Sequence, residues 1–399
     1  MHMATVESYD TAAGVRYVVR YRKPDGKSTK KRGFTTKRAA QAFGNTVEVK
    51  KLTGDYVDPS SGKVTVTQLA GAWLDNRSGL TPSTVVNTQS AYNAHVAEHW
   101  GHRAVGDIKP SDVRAWVSGL EKAGTGTATI EKALGVLRQI LEAADEDNLI
   151  ANNPCDRIKA PRRRHNQRGY LTHQQVHELS AEVATHPQVI LFLAYTGLRW
   201  GEMAALKVRS FDMLRRRIHI TEALSEVHGA IVWGNVKNHE RRTVPYPAFL
   251  TDQLAPLMAG KSRDDIVFTG ELGEILRVSN YRPRIYNFAV ARCKGRSIRQ
   301  RLLEEKRGAA VTPEFPTVTI HDLRHTAASL AISAGANVKA VQTMLGHKSA
   351  AMTLDTYADL FPDDLEAVAA ALDEAARNSV PNMCPKQKSA PPRRSENGA

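Results

Sequence analysis

The chain has 399 residues, room for two to three domains at roughly 100–200 residues each. It carries 55 Lys and Arg against 41 Asp and Glu, a net charge of +14, so a polyanion is the first partner to consider. The longest strongly apolar run, 189–195, is far short of the ~18 residues a membrane span needs, and no apolar signal segment opens the chain. Three scattered cysteines (Cys155, Cys293, Cys384) exclude a disulfide framework or a clustered zinc site, so a cytoplasmic protein with no membrane partner is expected.

Between residues 14 and 40 stand ten basic residues and one acid, Asp25; Arg16, Arg20, Arg22, Lys30, Lys31 and Arg32 are the densest part. The alternation in VRYVVRYR predicts a strand, Pro24-Asp25-Gly26 a turn, and 28–34 a return strand. Thr35 or Thr36 can cap a helix running to about Leu52. A charge run is often only a solvated face, but this excess in so short a stretch favours nucleic-acid contact. Residues 58–62 read as a linker. Helices follow after Thr67, from Thr81-Pro82 to about Trp100, from Pro110-Ser111, and from Thr127 with Ile130, Leu134, Leu137 and Leu141 at helical spacing. These predict a small all-α domain whose apolar stripes are core. Residues 156–168, with Arg162, Arg163 and Arg164 and no acid beyond Asp156, suit a strap along a phosphate backbone; a solvated linker is the plainer alternative. The largest unit, 169–378, is mainly helical with strand-like stretches at 217–222, 229–236 and 241–245. A second basic block spans 277–307, and the proline-rich 379–399 cannot bury a core and is expected to be disordered.

Residues 321–325 read His-Asp-Leu-Arg-His, which puts His321 and Arg324 on one helix face. Gly346 ends a later helix, His347 follows at once, and Tyr357 comes ten residues on. Upstream, TGLRWGE breaks the apolar run and presents Arg199, and Lys237 sits at an expected hairpin tip between 229–236 and Arg241-Arg242-Thr243-Val244-Pro245. Each of these alone is a weak signal. Together, TGLRWGE, the hairpin lysine, HDLRHT, LGHKS and TLDTYADL resemble the tyrosine recombinase (phage integrase) family, with all six positions filled in order over about 170–375.

The resemblance implies a multidomain fold: a small β-hairpin/helix arm-type DNA-binding domain (1–60), an all-α core-binding domain (64–155), and a mainly α (α+β) catalytic domain (169–378). It implies a heterobivalent phage integrase acting as a homotetramer on double-stranded DNA attachment sites, with a host DNA-bending factor and a directionality factor as accessory partners. An acidic C-terminal helix, 363–376, would dock on a neighbouring subunit or pack on its own domain. Type IB topoisomerases share a similar constellation and are the alternative enzyme; an inert DNA-binding protein is the alternative without catalysis.

The residue types fit metal-free, cofactor-free phosphodiester cleavage. Arginines bind phosphoryl oxygens bidentately and stay charged, which suits Arg199 and Arg324 to the nonbridging oxygens. His347 can donate a further hydrogen bond. Tyr357 is the expected nucleophile; a phenol with an unperturbed pKa of about 10 needs a base, for which His321 stands ready. Lys237 is the expected acid for the leaving 5′ oxygen. A 3′-phosphotyrosine keeps the bond energy, so no ATP is required. His321 and His325 are also spaced for a metal pair, but no third ligand accompanies them, and His325 reads as a buried or supporting histidine. Tyr195, Tyr281 and Tyr286 read as packing residues or DNA contacts.

Overall fold

A computed structural model describes residues 4–53, 56–58, 61–77, 79–162, 169–235, 241–309, 311–357, 360, 369 and 372–377. The chain divides into two compact units, residues 1–167 with 225–232, and residues 168–224 with 233–399. Among the described residues no helix is long and apolar enough to cross a membrane.

The first unit contains two separate cores. Strands β1 (Thr5–Thr11), β2 (Gly14–Arg22) and β3 (Ser28–Phe34) form an antiparallel sheet in that order. The expected hairpin is β2–β3. β1 was not anticipated, because its half-buried apolar residues, Val6 and Tyr9, do not alternate and its pairing with β2 defines it. Helix α1 (Lys37–Thr53) is capped by Thr36, whose hydroxyl accepts from the Ala39 amide at 3.2 Å. It lays Ala40 and Val47 on Val19 and Tyr21.

The second core lies among helices α2 (Val66–Asp75), α3 (Pro82–Ala91), α4 (Ala97–Trp100), α5 (Pro110–Lys122) and α6 (Thr127–Glu146). Thr65, not Thr67, caps α2, in a capping box with Gln68. The long helix expected from Thr81 to Trp100 is interrupted by a wide π-type turn, Tyr92–Val96. Ile130, Leu134, Leu137 and Leu141 of α6 pack against Trp100, Val113 and Trp116, so these stripes are core.

From residue 169 the chain runs α7 (His173–Ala181), α8 (Gln188–Thr196), α9 (Trp200–Ala204), β4 (Phe211–Asp212), β5 (Arg217–Ile220), β6 (Glu222–Val227), β7 (Ala230–Asn235), β8 (Arg242–Pro245), α10 (Leu250–Met258), α11 (Val278–Tyr281), α12 (Asn287–Lys306), α13 (Asp322–Ser333), α14 (Val338–Leu345) and α15 (Ala350–Tyr357), all in the second unit except 225–232 of β6 and β7. The apolar run becomes α8, buried along nearly its whole length and packed on α13. The stretch read as one strand at 217–222 is the whole of β5 and the first residue of β6. β5 pairs with β4 and β8, while β7 pairs with β6. The expected pairing of 229–236 with 241–245 is therefore replaced among the described residues: each segment hydrogen-bonds to an earlier strand instead. The basic block 277–307 is helical, through α11, a π-type turn and α12.

Candidate active site

Two glycines set the aim of the site. Gly197 ends α8 with φ 67°, and a Cβ there would come within 2.8 Å of the Leu345 side chain. Gly346 ends α14 with φ 65°, and a Cβ there would come within 3.0 Å of the Arg242 side chain. Both positions are left-handed and crowded, which only glycine tolerates without strain. Each helix therefore stops sharply, and the next turns present Arg199 and His347.

Arg324, on α13 and only 3 % exposed, ties those two helix ends together. Its Nη1 donates to the Gly197 carbonyl at 2.8 Å and its Nη2 to the Leu345 carbonyl at 2.6 Å. Burial, and then the charge of Arg199, lower its pKa to about 9, so the guanidinium stays charged at neutral pH.

Arg199 precedes α9 in a capping arrangement with Glu202. The Glu202 carboxylate accepts from the Arg199 backbone amide at 2.9 Å and from its Nη1 at 2.8 Å. Glu202 is 2 % exposed and also accepts from Arg242, at 3.1 and 2.6 Å. Arg242 closes the network by donating its Nε to the Met344 carbonyl at 3.2 Å. Burial alone would raise the Glu202 pKa, but the hydrogen bond and charge of Arg242, followed by Arg199, hold it below the ordinary carboxylate value. Arg199 and Arg242 thus hold one carboxylate with the charge of Arg324 nearby, so positive charge is in excess here.

His347 is half-buried, and its Nδ1 lies 3.0 Å from the Thr353 hydroxyl. Burial first, then Arg324, Arg199 and Arg242, push its pKa down to about 4, so it is a neutral imidazole at physiological pH. Tyr357, at the end of α15, is 1 % exposed and packs with Ala328, Ile332, Val341 and Leu345. Its hydroxyl lies 2.5 Å from Nδ1 of His325. His321 is exposed at the start of α13, its ring edge-on to that of His325 with centroids 5.2 Å apart.

Five of the six expected residues, Arg199, His321, Arg324, His347 and Tyr357, thus gather around the ends of α8, α13, α14 and α15. Lys237 lies outside the described residues, as do Arg163, Arg164, the tail 379–399 and most of the expected helix 363–376; residues 372–377 are helical. Sequence reasoning passed over Arg242, Thr353 and the contact of His325 with Tyr357. Glu202 carried a visible signal, a carboxylate three residues after a helix-opening residue.

The rival tyrosines are placed differently. Tyr281 and Tyr286 are buried, and burial raises both phenol pKa values. The Tyr195 hydroxyl is 2.8 Å from His173 Nδ1. Among the described residues no cluster of three or more metal-ligating side chains occurs.

On the N-terminal sheet, Arg20 stands opposite Lys30 and Arg22 opposite Ser28, with all three basic side chains exposed on the face away from α1. Lys31, opposite Val19, turns to the helix side and sets its ammonium 4.5 Å from the Phe43 ring centroid. Arg32 lies over Tyr9, Arg16 is half-buried, and Arg162 is exposed.

A family model described as the phage integrase family matches residues 169–363, and one described as the phage integrase central domain matches residues 66–161. The chain is 27 % identical to an integrase of Mycobacterium phage L5 over 331 residues, 80 % of this chain and 82 % of that protein. It is 26 % identical to the transposase from transposon Tn916 of Enterococcus faecalis over 78 % of each chain. Its fold is similar to that of the Tn1549 transposon integrase in complex with a circular intermediate DNA, with a TM-score of 0.61 at 20 % identity, covering 78 % of this chain and 99 % of that one. A lambda integrase dimer bound to a COC′ core site gives a TM-score of 0.54 at 16 % identity, covering 88 % and 93 %.

Proposed function

The chain belongs to the phage integrase family of tyrosine recombinases, enzymes that break and rejoin DNA, and from that premise we propose how its own residues divide the work. Tyr357 attacks the scissile phosphorus. Arg199 and Arg324 hold the nonbridging oxygens, where the transition state gains charge. His347, neutral, donates a hydrogen bond from Nε2 while Thr353 holds Nδ1. His321, exposed at the start of α13, faces the phosphate. Lys237 protonates the leaving 5′ oxygen. The product is a 3′-phosphotyrosine, and attack by a second 5′ hydroxyl gives the exchanged strand.

One observation carries this reading: the buried Tyr357 packs on Leu345, whose carbonyl holds the Arg324 guanidinium beside Arg199, Arg242 and Glu202. Tyr357 reaches this cluster from its own chain, which supports cleavage in cis. Residues 1–60 form an arm-type DNA-binding domain, with Arg20, Arg22 and Lys30 meeting phosphates from the open face of the sheet. Residues 64–155 bind the core site, 156–168 follow the DNA backbone, and 169–378 carry the catalysis. Four subunits act on paired attachment sites of a phage or mobile element in a bacterial cytoplasm, with host bending and directionality factors. Sequencing the DNA trapped covalently on the protein, in cells carrying candidate attachment sites, tests the function. Adducts confined to two matching sites with exchanged flanks are expected. Scattered adducts without joined products would make the enzyme a topoisomerase instead.

A further inference from the structure

A tyrosine nucleophile must lose its phenolic proton as the new P–O bond forms, and the group that takes it must lie within hydrogen-bond reach. His321 was the expected acceptor. His325, four residues on and on the same helix face, sets its Nδ1 at hydrogen-bond distance from the nucleophile. The separation, 2.5 Å between Nδ1 and the Tyr357 hydroxyl, is that of a short hydrogen bond. Both groups are buried, His325 at 9 % and Tyr357 at 1 % exposure. Consecutive helix residues point about 100° apart. On α13, Arg324 therefore reaches the ends of α8 and α14 while His325 reaches α15.

We propose that His325 is the general base of strand cleavage. In the tautomer with its proton on Nε2, Nδ1 accepts from the phenol. As the Tyr357 oxygen bonds to phosphorus, the phenolic proton moves to Nδ1 and the P–O5′ bond breaks. The departing oxygen is protonated by the leaving-group acid, Lys237 in the reading above. In rejoining, the imidazolium returns its proton to the departing tyrosine oxygen. The assignment rests on Tyr357 being the nucleophile. A buried histidine bonded to a buried tyrosine is more often a satisfied core pair, so the test must separate proton transfer from packing.

Two reactions make that separation. Cleavage of a nicked suicide substrate, built from a site recovered by covalent trapping, needs the phenol proton removed. Joining of a strand ending in 3′-(4-nitrophenyl) phosphate to a 5′ hydroxyl does not, because nitrophenolate leaves without a proton. Joining is measured in a Tyr357→Phe background, so that only the 5′ hydroxyl attacks. His325→Ala should slow cleavage by about 10²–10⁴-fold, the range of general base catalysis, and change joining less than about threefold. His325→Gln keeps a hydrogen-bond acceptor but takes no proton, and should be as slow in cleavage as His325→Ala. Equal loss in both reactions would make His325 a packing residue, and wild-type cleavage by His325→Gln would make it a positioning residue; either overturns the proposal. An adduct formed by Tyr357→Phe would instead overturn the reading of Tyr357, a different result on the same gel.

Discussion

Glu202→Gln removes the one carboxylate from a buried cluster of three guanidinium groups while keeping its shape. Removing one partner of a buried ion pair costs about 3–5 kcal/mol, because the other charge is left uncompensated. Two features set the value here. The Arg242 side chain is 8 % exposed and cannot rehydrate, whereas that of Arg199 is 32 % exposed and can. The amide of glutamine still accepts one hydrogen bond. The lower end, about 3 kcal/mol, is therefore expected, or roughly 6–12 °C in Tm for a unit of 150–250 residues. Thermal unfolding of the full chain, followed by calorimetry, reads this in the transition of the second unit. Glu7→Gln is the control: its partner Arg20 and it are 53 % and 52 % exposed, and such surface pairs contribute about 0–1 kcal/mol. The pH dependence follows from the depressed Glu202 pKa. Its stabilisation is complete above the ordinary value of 4.5 and is lost as pH falls through the lower folded value. Wild type should therefore destabilise more steeply than Glu202→Gln below about pH 4.5. Combining Glu202→Gln with Arg242→Met should recover part of the loss, since the Arg242 charge is then no longer left buried opposite a neutral partner. A Tm shift for Glu202→Gln no larger than that of Glu7→Gln would refute the account of the cluster.

Three further outcomes are expected. In the free protein the His347 imidazole should titrate near pH 4 by NMR; a midpoint near the unperturbed 6.5 would mean the arginine charges do not converge on it. Lys237→Ala should cleave ordinary DNA about 10²–10⁴-fold slowly yet be near wild type on a 5′-bridging phosphorothiolate, whose thiol leaves without a proton. Arg199→Ala should stay slow on both, and equal impairment of Lys237→Ala on both would remove it as the acid. Residues 1–60 should protect DNA positions distinct from those protected by residues 64–399, with binding that falls steeply with salt; coincident footprints would end the two-site reading.

Much of this site was legible because its parts have local signatures. Thr81-Pro82 and Thr36 announce helix starts through side-chain caps, and Gly197 and Gly346 announce helix ends. Arg199, Arg324, His347 and Tyr357 sit beside those ends, so motif spacing located them. What stayed hidden depends on residues far apart in the chain. Arg242 meets Glu202 across 40 positions and Met344 across 102, and His325 meets Tyr357 across 32. No periodicity links such pairs. The pairing of β7 with β6 was missed for a related reason: an apolar stretch signals a strand but does not name its neighbour.

The central claim is that Tyr357 joins covalently to the 3′ side of a broken DNA strand without help from metal. The most direct measurement is mass spectrometry of the covalent complex, formed on a suicide substrate in excess EDTA and digested with protease and nuclease. The account predicts one nucleotide-bearing peptide, containing Tyr357 and linked through a 3′ phosphate. A nucleotide on any other residue, a 5′ linkage, or no complex until a metal ion is restored would contradict it.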